Sequence, residues 1–355
     1  MPSIDLQTST GLETFAYTLS TPTNASADKI VTGLPTVLFV HPVYVTSAIF
    51  HPIFADTKLR RFNLMTMDLR GHGHTSATVN DSYGREVAAH DVLGLVDALK
   101  ISACHVVGIS MGANIALQMA AIAPEKVLSL FLLSPSPQTE PIESLEGRQE
   151  IYECWASAFQ DADSGMDECA MADAMLGVAQ LAYGDNKTSF TKALGSATYD
   201  AAVQNWSPSE EALSVMRTVS VEFFQVNCDD EDVKDKGDLY ASASLSRIES
   251  TTPILVVHCS EDIIYPRSSA EELCTLLRRA ELDVDLVSLD GAPHFGNATH
   301  PDETNAMLYS FLTANSSSFQ DVGPAQLRVT SPFLEELKRC GFMEDENQND
   351  SDDSD

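Results

Sequence analysis

Residues 106–114 read Val-Val-Gly-Ile-Ser-Met-Gly-Ala-Asn, and this stretch constrains the fold more than any other. Within it Gly108-Ile109-Ser110-Met111-Gly112 is a G-x-S-x-G match that follows an apolar run and opens an Ala-rich one. Residues 103–109 are short and rich in β-branched side chains, as a buried parallel strand is. After Ser110, Ile115, Ala116, Met119, Ala120 and Ile122 recur at helical spacing, and Pro124 falls near the end of the run. The pattern predicts a strand, a tight turn carrying the serine, and a helix folded back on the strand. Side chains at 108 and 112 would hold that helix away. A serine hydroxyl is a poor nucleophile in water. It becomes a good one on such a turn, beside a base and with backbone N–H groups facing the reacting carbonyl. The pentapeptide alone also fits an ordinary Gly-rich turn with an incidental serine, so its flanks carry the argument.

The same strand-then-helix alternation runs through both ends of the chain. Strands are expected at 12–19, 36–40, 62–68, 103–109, 128–133, 253–258 and 284–289. Helices are expected at 85–100, 111–127, 268–280 and 303–314, and 47–61 mostly suits a helix. This order argues for a parallel α/β sheet. Between about 138 and 252 no apolar strand of that kind occurs, and helical segments dominate at 143–159, 166–182, 189–206 and 209–224. The middle reads as a helical insertion that begins at the C-terminal end of a strand, where open α/β sheets place their ligand crevices. The expected division is a core over 1–136, the insertion over 137–252, the rest of the core over 253–316, and an extension over 317–355. Residues 316–332 read as a loose connection and 333–340 as a short helix. Residues 343–355 hold seven acids and no base, and are expected to be disordered.

With 355 residues the chain can bury a large core. Lys plus Arg number 21 against 52 Asp plus Glu, a net charge of −31, which argues against nucleic acid and anionic membranes as partners. No apolar stretch approaches a membrane span, and the first residues lack a basic segment followed by an apolar one. The seven cysteines are scattered and form no C-x-x-C pair, so neither a zinc site nor a disulfide framework is suggested, and a reducing, cytoplasmic setting is expected. The acids Asp229, Asp230, Glu231, Asp232, Asp235 and Asp238 lack the spacing of a calcium loop and read as a solvated acidic loop. No cofactor or metal is expected, and the expected partner is a small-molecule substrate.

A nucleophilic serine needs a base and a group that orients the base. One known chain order is serine, then acid, then histidine. His294 lies in Asp290-Gly291-Ala292-Pro293-His294-Phe295, just past a strand, where a loop can present it at the sheet edge. His300 competes, but it precedes Pro301, Asp302 and Glu303 and looks like a helix start. His258 lies inside an apolar strand and reads as a core residue. For the acid, Asp262 follows the strand at 253–258, with Glu261 as the neighbouring alternative.

Together these residues resemble the α/β-hydrolase superfamily over about residues 10–136 and 253–315. The resemblance rests on His41-Pro42-Val43 after a strand, Asp68-Leu69-Arg70-Gly71-His72-Gly73, the serine turn, the Asp262 loop and the His294 loop. It implies an α/β-hydrolase fold: a mostly parallel eight-stranded sheet flanked by helices, with an inserted helical cap over the site. It further implies an oxyanion hole built from the backbone N–H groups of Val43 and Met111, and a loop-shaping role for Arg70 and His72. The chain departs from the family where His-Gly is common and His41-Pro42 stands here. Proline lacks an N–H, but the donor required is that of Val43, so the hole can survive in a stiffer loop.

The expected activity is cleavage of an ester, thioester or lactone with an apolar body through an acyl-enzyme on Ser110, with His294 as base and Asp262 as its orienting acid. Trp155, Phe159, Met175 and Phe223, with Met166, Met171, Leu176 and Phe224, are the insertion's candidates for an apolar substrate pocket, although the same residues suit the insertion's own core. Rival readings are an acyltransferase or a C–C bond hydrolase using the same three residues, a small-molecule receptor whose three residues are slow or vestigial, and a non-hydrolytic enzyme using the pocket alone.

Overall fold

The computed structural model describes residues 1–160, 165–225, 239–240, 242–316 and 330–343. The acidic cluster at 229–238, most of the connection at 316–332 and the tail from 344 lie outside them. The elements in chain order are β1 (Ser3–Thr8), β2 (Gly11–Ser20), β3 (Thr36–Val40), α1 (His51–Ala55), β4 (Asn63–Met67), α2 (Arg85–Ala98), β5 (Cys104–Ile109), α3 (Met111–Ile122) and β6 (Val127–Leu133). The helices α4 (Ile142–Ser157), α5 (Glu168–Tyr183), α6 (Ser189–Trp206) and α7 (Glu210–Ser220) follow, and then a short α8 (Ser242–Leu245). The chain closes with β7 (Ile254–Cys259), α9 (Arg267–Arg279), β8 (Val284–Leu289), α10 (Gly296–Thr299), α11 (Pro301–Ala314) and α12 (Leu334–Arg339).

Eight strands form one sheet in the order β1-β2-β4-β3-β5-β6-β7-β8. β1 and β2 run antiparallel to their neighbours, and all pairs from β4 to β8 are parallel. The central strands are apolar on both faces because helices cover both. Leu38, Val40, Val106, Leu130 and Leu132 point into a core shared with Val92, Leu95, Ile115, Met119 and Leu273 of α2, α3 and α9. Their neighbours Val37, Phe39, Val107, Phe131 and Leu133 point the other way, onto Ile53, Phe54, Leu308 and Leu312 of α1 and α11 and onto Phe333 and Leu337 from the α12 region. Among the described residues no helix is long and apolar enough to cross a membrane.

The α/β pattern and the helical insert α4–α7 are as expected, with two local differences. The first strand is β1, not residues 12–19. Its half-exposed edge position leaves Leu6 as its one buried side chain, too little contrast for a clear apolar alternation. Residues 47–61 do not form one helix. The Asp56 carboxylate accepts from the backbone N–H groups of Lys58 and Leu59 at 2.8 and 2.9 Å, so the side chain ends the helix after Ala55 and starts a new turn.

The insert is tied to the sheet by polar contacts. Trp206 of α6 donates its indole N–H to Gly71 O at 2.7 Å, and Asn205 donates to Gly73 O at 2.9 Å. Trp155 of α4 donates to Trp206 O at 3.1 Å and packs edge-on against the Trp206 ring. Beneath this junction Arg70 makes a buried two-pronged pair with Asp91, at 2.6 and 2.8 Å, and donates to Thr10 Oγ1 and Thr78 O. That arrangement gives Arg70 the task of fixing the 68–79 loop rather than meeting a ligand.

Two buried histidines give the fold an acid limit. His105 on β5 lies between Ser129 Oγ and Ser316 Oγ, and burial pushes its pKa down from 6.5 to about 4. His72 is pushed down to about 3, by burial first and then by neighbouring His41. Both are neutral in the fold, so below about pH 6.5 the unfolded chain binds protons that the native chain refuses. Stability is therefore expected to fall as pH drops from about 6.5 toward 4, by up to about 1.4 kcal/mol per pH unit for each histidine. Urea titrations across that range test this, and His105→Gln should flatten the slope.

Candidate active site

Ser110 occupies the turn between β5 and α3 with φ 51° and ψ −117°. That left-handed backbone is unusual for a residue with a side chain and is characteristic of sharp functional turns. The glycines around it are there for space. A Cβ on Gly108 would lie 2.3 Å from Gly112 O and 2.5 Å from Ala113 Cα, and a Cβ on Gly112 would lie 2.1 Å from Val40 O. With both absent, the first turn of α3 packs directly on the ends of β5 and β3. The Ser110 N–H donates to Leu133 O at 2.9 Å, which fixes the turn to β6.

The loops after β7 and β8 bring Asp262 and His294 to the same edge. Ser110 Oγ is 2.8 Å from His294 Nε2, and His294 Nδ1 is 2.7 Å from Asp262 Oδ2. The other carboxylate oxygen, Asp262 Oδ1, accepts from the N–H groups of Ile264 and Tyr265 at 2.9 and 3.0 Å. Burial alone would raise the Asp262 carboxyl. His294 and the two backbone donors outweigh it and hold the carboxyl below its ordinary value. An ionised Asp262 only accepts, so Nδ1 carries a proton, and in the neutral ring Nε2 is the nitrogen left to accept from the Ser110 hydroxyl. The side chains of His294 and Asp262 are 1% and 0% exposed, and Ser110 is 0% exposed. Glu261 is exposed, His258 lies in β7, and His300 is the residue before α11, away from this chain of hydrogen bonds.

Met111 is the first residue of α3, so its N–H is one of the helix's opening donors without an intrahelical acceptor. Val43 lines the same cavity as Ser110 and His294. Its loop is set by His41, whose Nε2 accepts from Leu69 N–H at 2.9 Å, leaving Nδ1 to donate to Pro42 O at 2.7 Å. Asp68 holds the loop from the other side by accepting from Ser47 N–H at 2.9 Å.

The cavity beside Ser110 measures about 10 Å³, room for a single water. Its apolar walls are Val43, Val178, Leu181, Ala182, Ile264 and Phe295, with Tyr44 and Arg148 as further members. Trp155, Phe159, Met175 and Phe223, the candidates offered by the sequence, are not among the residues lining this cavity. Trp155 is instead the centre of an aromatic cluster with Phe159, Tyr199 and Trp206 inside the insert. Phe223 packs on Tyr83 and Phe224. Large apolar residues on amphipathic helices face the insert's own core first, and smaller ones from α5 reach the serine.

Sequence reasoning passed over a polar cluster on the same wall. Arg148 donates from Nε to Glu140 at 3.1 Å and from Nη2 to Tyr265 Oη at 3.1 Å, with its guanidinium 3.6 Å from the centre of the Phe224 ring. Tyr265 Oη donates to Glu140 at 2.8 Å, and its ring lies edge-on to His294 at 5.3 Å. The signal was present in α4: Ser144, Arg148, Ile151 and Trp155 form its buried stripe, and an arginine in such a stripe demands a partner. Among the described residues no group of three or more His, Cys, Asp or Glu is arranged to hold a metal.

A family model described as alpha/beta hydrolase fold matches residues 35–301. The chain is 30% identical over 199 residues to the dihydrolipoyllysine-residue acetyltransferase component of the acetoin cleaving system of Cupriavidus necator, covering 53% of this chain and 51% of that one. It is 33% identical over 116 residues to the 2-(acetamidomethylene)succinate hydrolase of Mesorhizobium japonicum, covering 32% of this chain and 41% of that one. The chain thus spans about half or less of the length of these two relatives. Among solved structures, a thermophilic esterase from Thermogutta terrifontis superimposes with a TM-score of 0.65 at 15% identity, over 89% of this chain and 99% of that one.

The glycine argument is open to a direct test. Gly112→Ala is expected to destabilise the protein by roughly 2–3 kcal/mol or more, because backbone atoms of β3 block the new methyl. Ala113→Gly, a position with no such clash to relieve, should cost only about 1 kcal/mol. Denaturant unfolding of both variants would show the difference, and equal losses would contradict it.

Proposed function

The chain belongs to the α/β-hydrolase fold family, and from that premise we propose that it is a serine hydrolase acting on an ester, thioester or lactone with a small to medium apolar body. The observation that carries this reading is the continuous hydrogen-bonded line from Ser110 Oγ through His294 to Asp262. In the proposed reaction Ser110 Oγ attacks the substrate carbonyl while His294 Nε2 takes its proton. Asp262 stabilises the resulting imidazolium and keeps the ring in place. The N–H groups of Val43 and Met111 receive the developing oxyanion. The imidazolium then protonates the leaving group, and water activated by the same histidine releases the acyl group.

The insert at 137–252 acts in this proposal as a cap. It supplies Val178, Leu181 and Ala182 to the cavity wall, which suits an apolar acyl or alkyl body. Acyl transfer to an alcohol or thiol is the second reading, favoured by one observation: a matched relative is named as an acetyltransferase component.

A fluorophosphonate probe is expected to label Ser110. Ser110→Ala should abolish labelling and lower kcat/KM on 4-nitrophenyl butyrate by about 10³-fold or more. Turnover that survives Ser110→Ala overturns the covalent route. Product formation that requires an added alcohol or thiol acceptor decides for the transferase.

A further inference from the structure

We propose that the Tyr44 hydroxyl, beside Arg148, forms a hydrogen-bond-donating subsite next to Ser110 that selects substrates carrying a second, uncharged carbonyl oxygen. The inference deepens the hydrolase reading and rests on it for the identity of the reacting carbonyl.

The cavity wall is otherwise apolar, apart from Ser110 and His294 themselves. Tyr44 lies next to Val43 in the loop after β3, is 4% exposed, and has φ 68°, a backbone conformation disfavoured for a residue with a side chain. Its hydroxyl is buried and makes no hydrogen bond of ordinary length, with Ser220 and Arg148 the polar side chains around it. Ser220 spends its one hydroxyl proton on Met216 O at 2.7 Å, so it has no donor to offer Tyr44. A buried phenol without an acceptor is unfavourable in the empty site and becomes favourable when a ligand supplies one. Arg148 commits Nε to Glu140 and Nη2 to Tyr265, and its guanidinium is also a neighbour of the Tyr44 hydroxyl.

Charge narrows the ligand. Glu140 balances Arg148, their side chains being 3% and 2% exposed. Burial pushes the Tyr44 phenol up, so it remains a neutral donor. The wall therefore offers a neutral phenol donor beside a balanced ion pair. A ketone, ester or amide oxygen fits it. A carboxylate would bring an uncompensated charge into a buried cavity beside the Glu140 carboxylate, at a large desolvation cost.

The test uses the full chain and three unreactive probes measured by titration calorimetry: N-propyl-4-oxopentanamide, N-propylpentanamide, and the carboxylate analogue, N-propylglutaramate. Wild-type protein is expected to bind the oxo amide about five- to tenfold more tightly than the plain amide, the size of one or two net hydrogen bonds. Tyr44→Phe removes the unpaired hydroxyl and keeps the ring, so the fold is retained and the preference should fall to about twofold or less. Equal or undetectable binding of the two amides by the wild type, or a preference that survives Tyr44→Phe, overturns the subsite. Tighter binding of the glutaramate than of the oxo amide overturns its uncharged character. Fluorophosphonate labelling separates the two readings. An oxo preference without Ser110 labelling sinks the hydrolase reading alone, and labelling without the preference sinks the subsite alone.

Discussion

At the end of β5 a helix comes into backbone contact with two strands, and the geometry of the site follows from that approach. Gly108 and Gly112 make it possible, since a methyl group at either would overlap main-chain atoms. The turn between them has to be sharp, and Ser110 takes the left-handed backbone that this demands. Its side chain and the first N–H groups of α3 then point past the C-terminal edge of the sheet. The strand order places β3 next to β5, with β6, β7 and β8 following on the other side. The loops leaving β3, β7 and β8 therefore converge on the same edge, carrying Val43, Asp262 and His294 respectively.

The surroundings of this edge use buried polar groups where apolar packing would fold equally well. Arg70 and Asp91 hold the loop after β4, His41 and Asp68 hold the loop after β3, and Arg148, Glu140 and Tyr265 bridge the insert to the loop after β7. Such pairs add little net stability when compared with hydrophobic residues of similar volume, but removing one partner is costly. Each of them ties a loop at this edge to a neighbouring element.

Much of the fold was legible because buried strands and amphipathic helices leave strong periodic marks. The parallel strands from β3 to β8 and the helices α2, α3, α9 and α11 were visible from apolar runs of the right length. The edge strand β1 was not, because it buries one face weakly. The break in the 47–61 segment was not, because it depends on a side-chain hydrogen bond from Asp56 and not on composition. At the site, Ser110, Asp262 and His294 were singled out by chain order and by their positions just after strands, and the three lie in one hydrogen-bonded line. The cavity walls were not legible. Which face of α4 or α5 meets the serine depends on how the insert is docked, and bulky Trp155 and Phe159 were drawn into the insert's own core, leaving Val178 and Leu181 at the cavity.

Tyr265 belongs to two structures at once. Its backbone N–H steadies the Asp262 carboxylate and its ring lies against His294, while its hydroxyl is held by Glu140 and Arg148 of the insert. The cavity beside Ser110 measures only about 10 Å³, and α4 and α5 of the insert supply part of its wall. Lifting α4 takes Arg148 from Tyr265, and moving the segment just before it takes Glu140 as well. Tyr265 thus couples the seat of the insert to the placing of Asp262 and His294. A shift of the insert at this point would therefore be felt at Asp262 and His294 through one side chain.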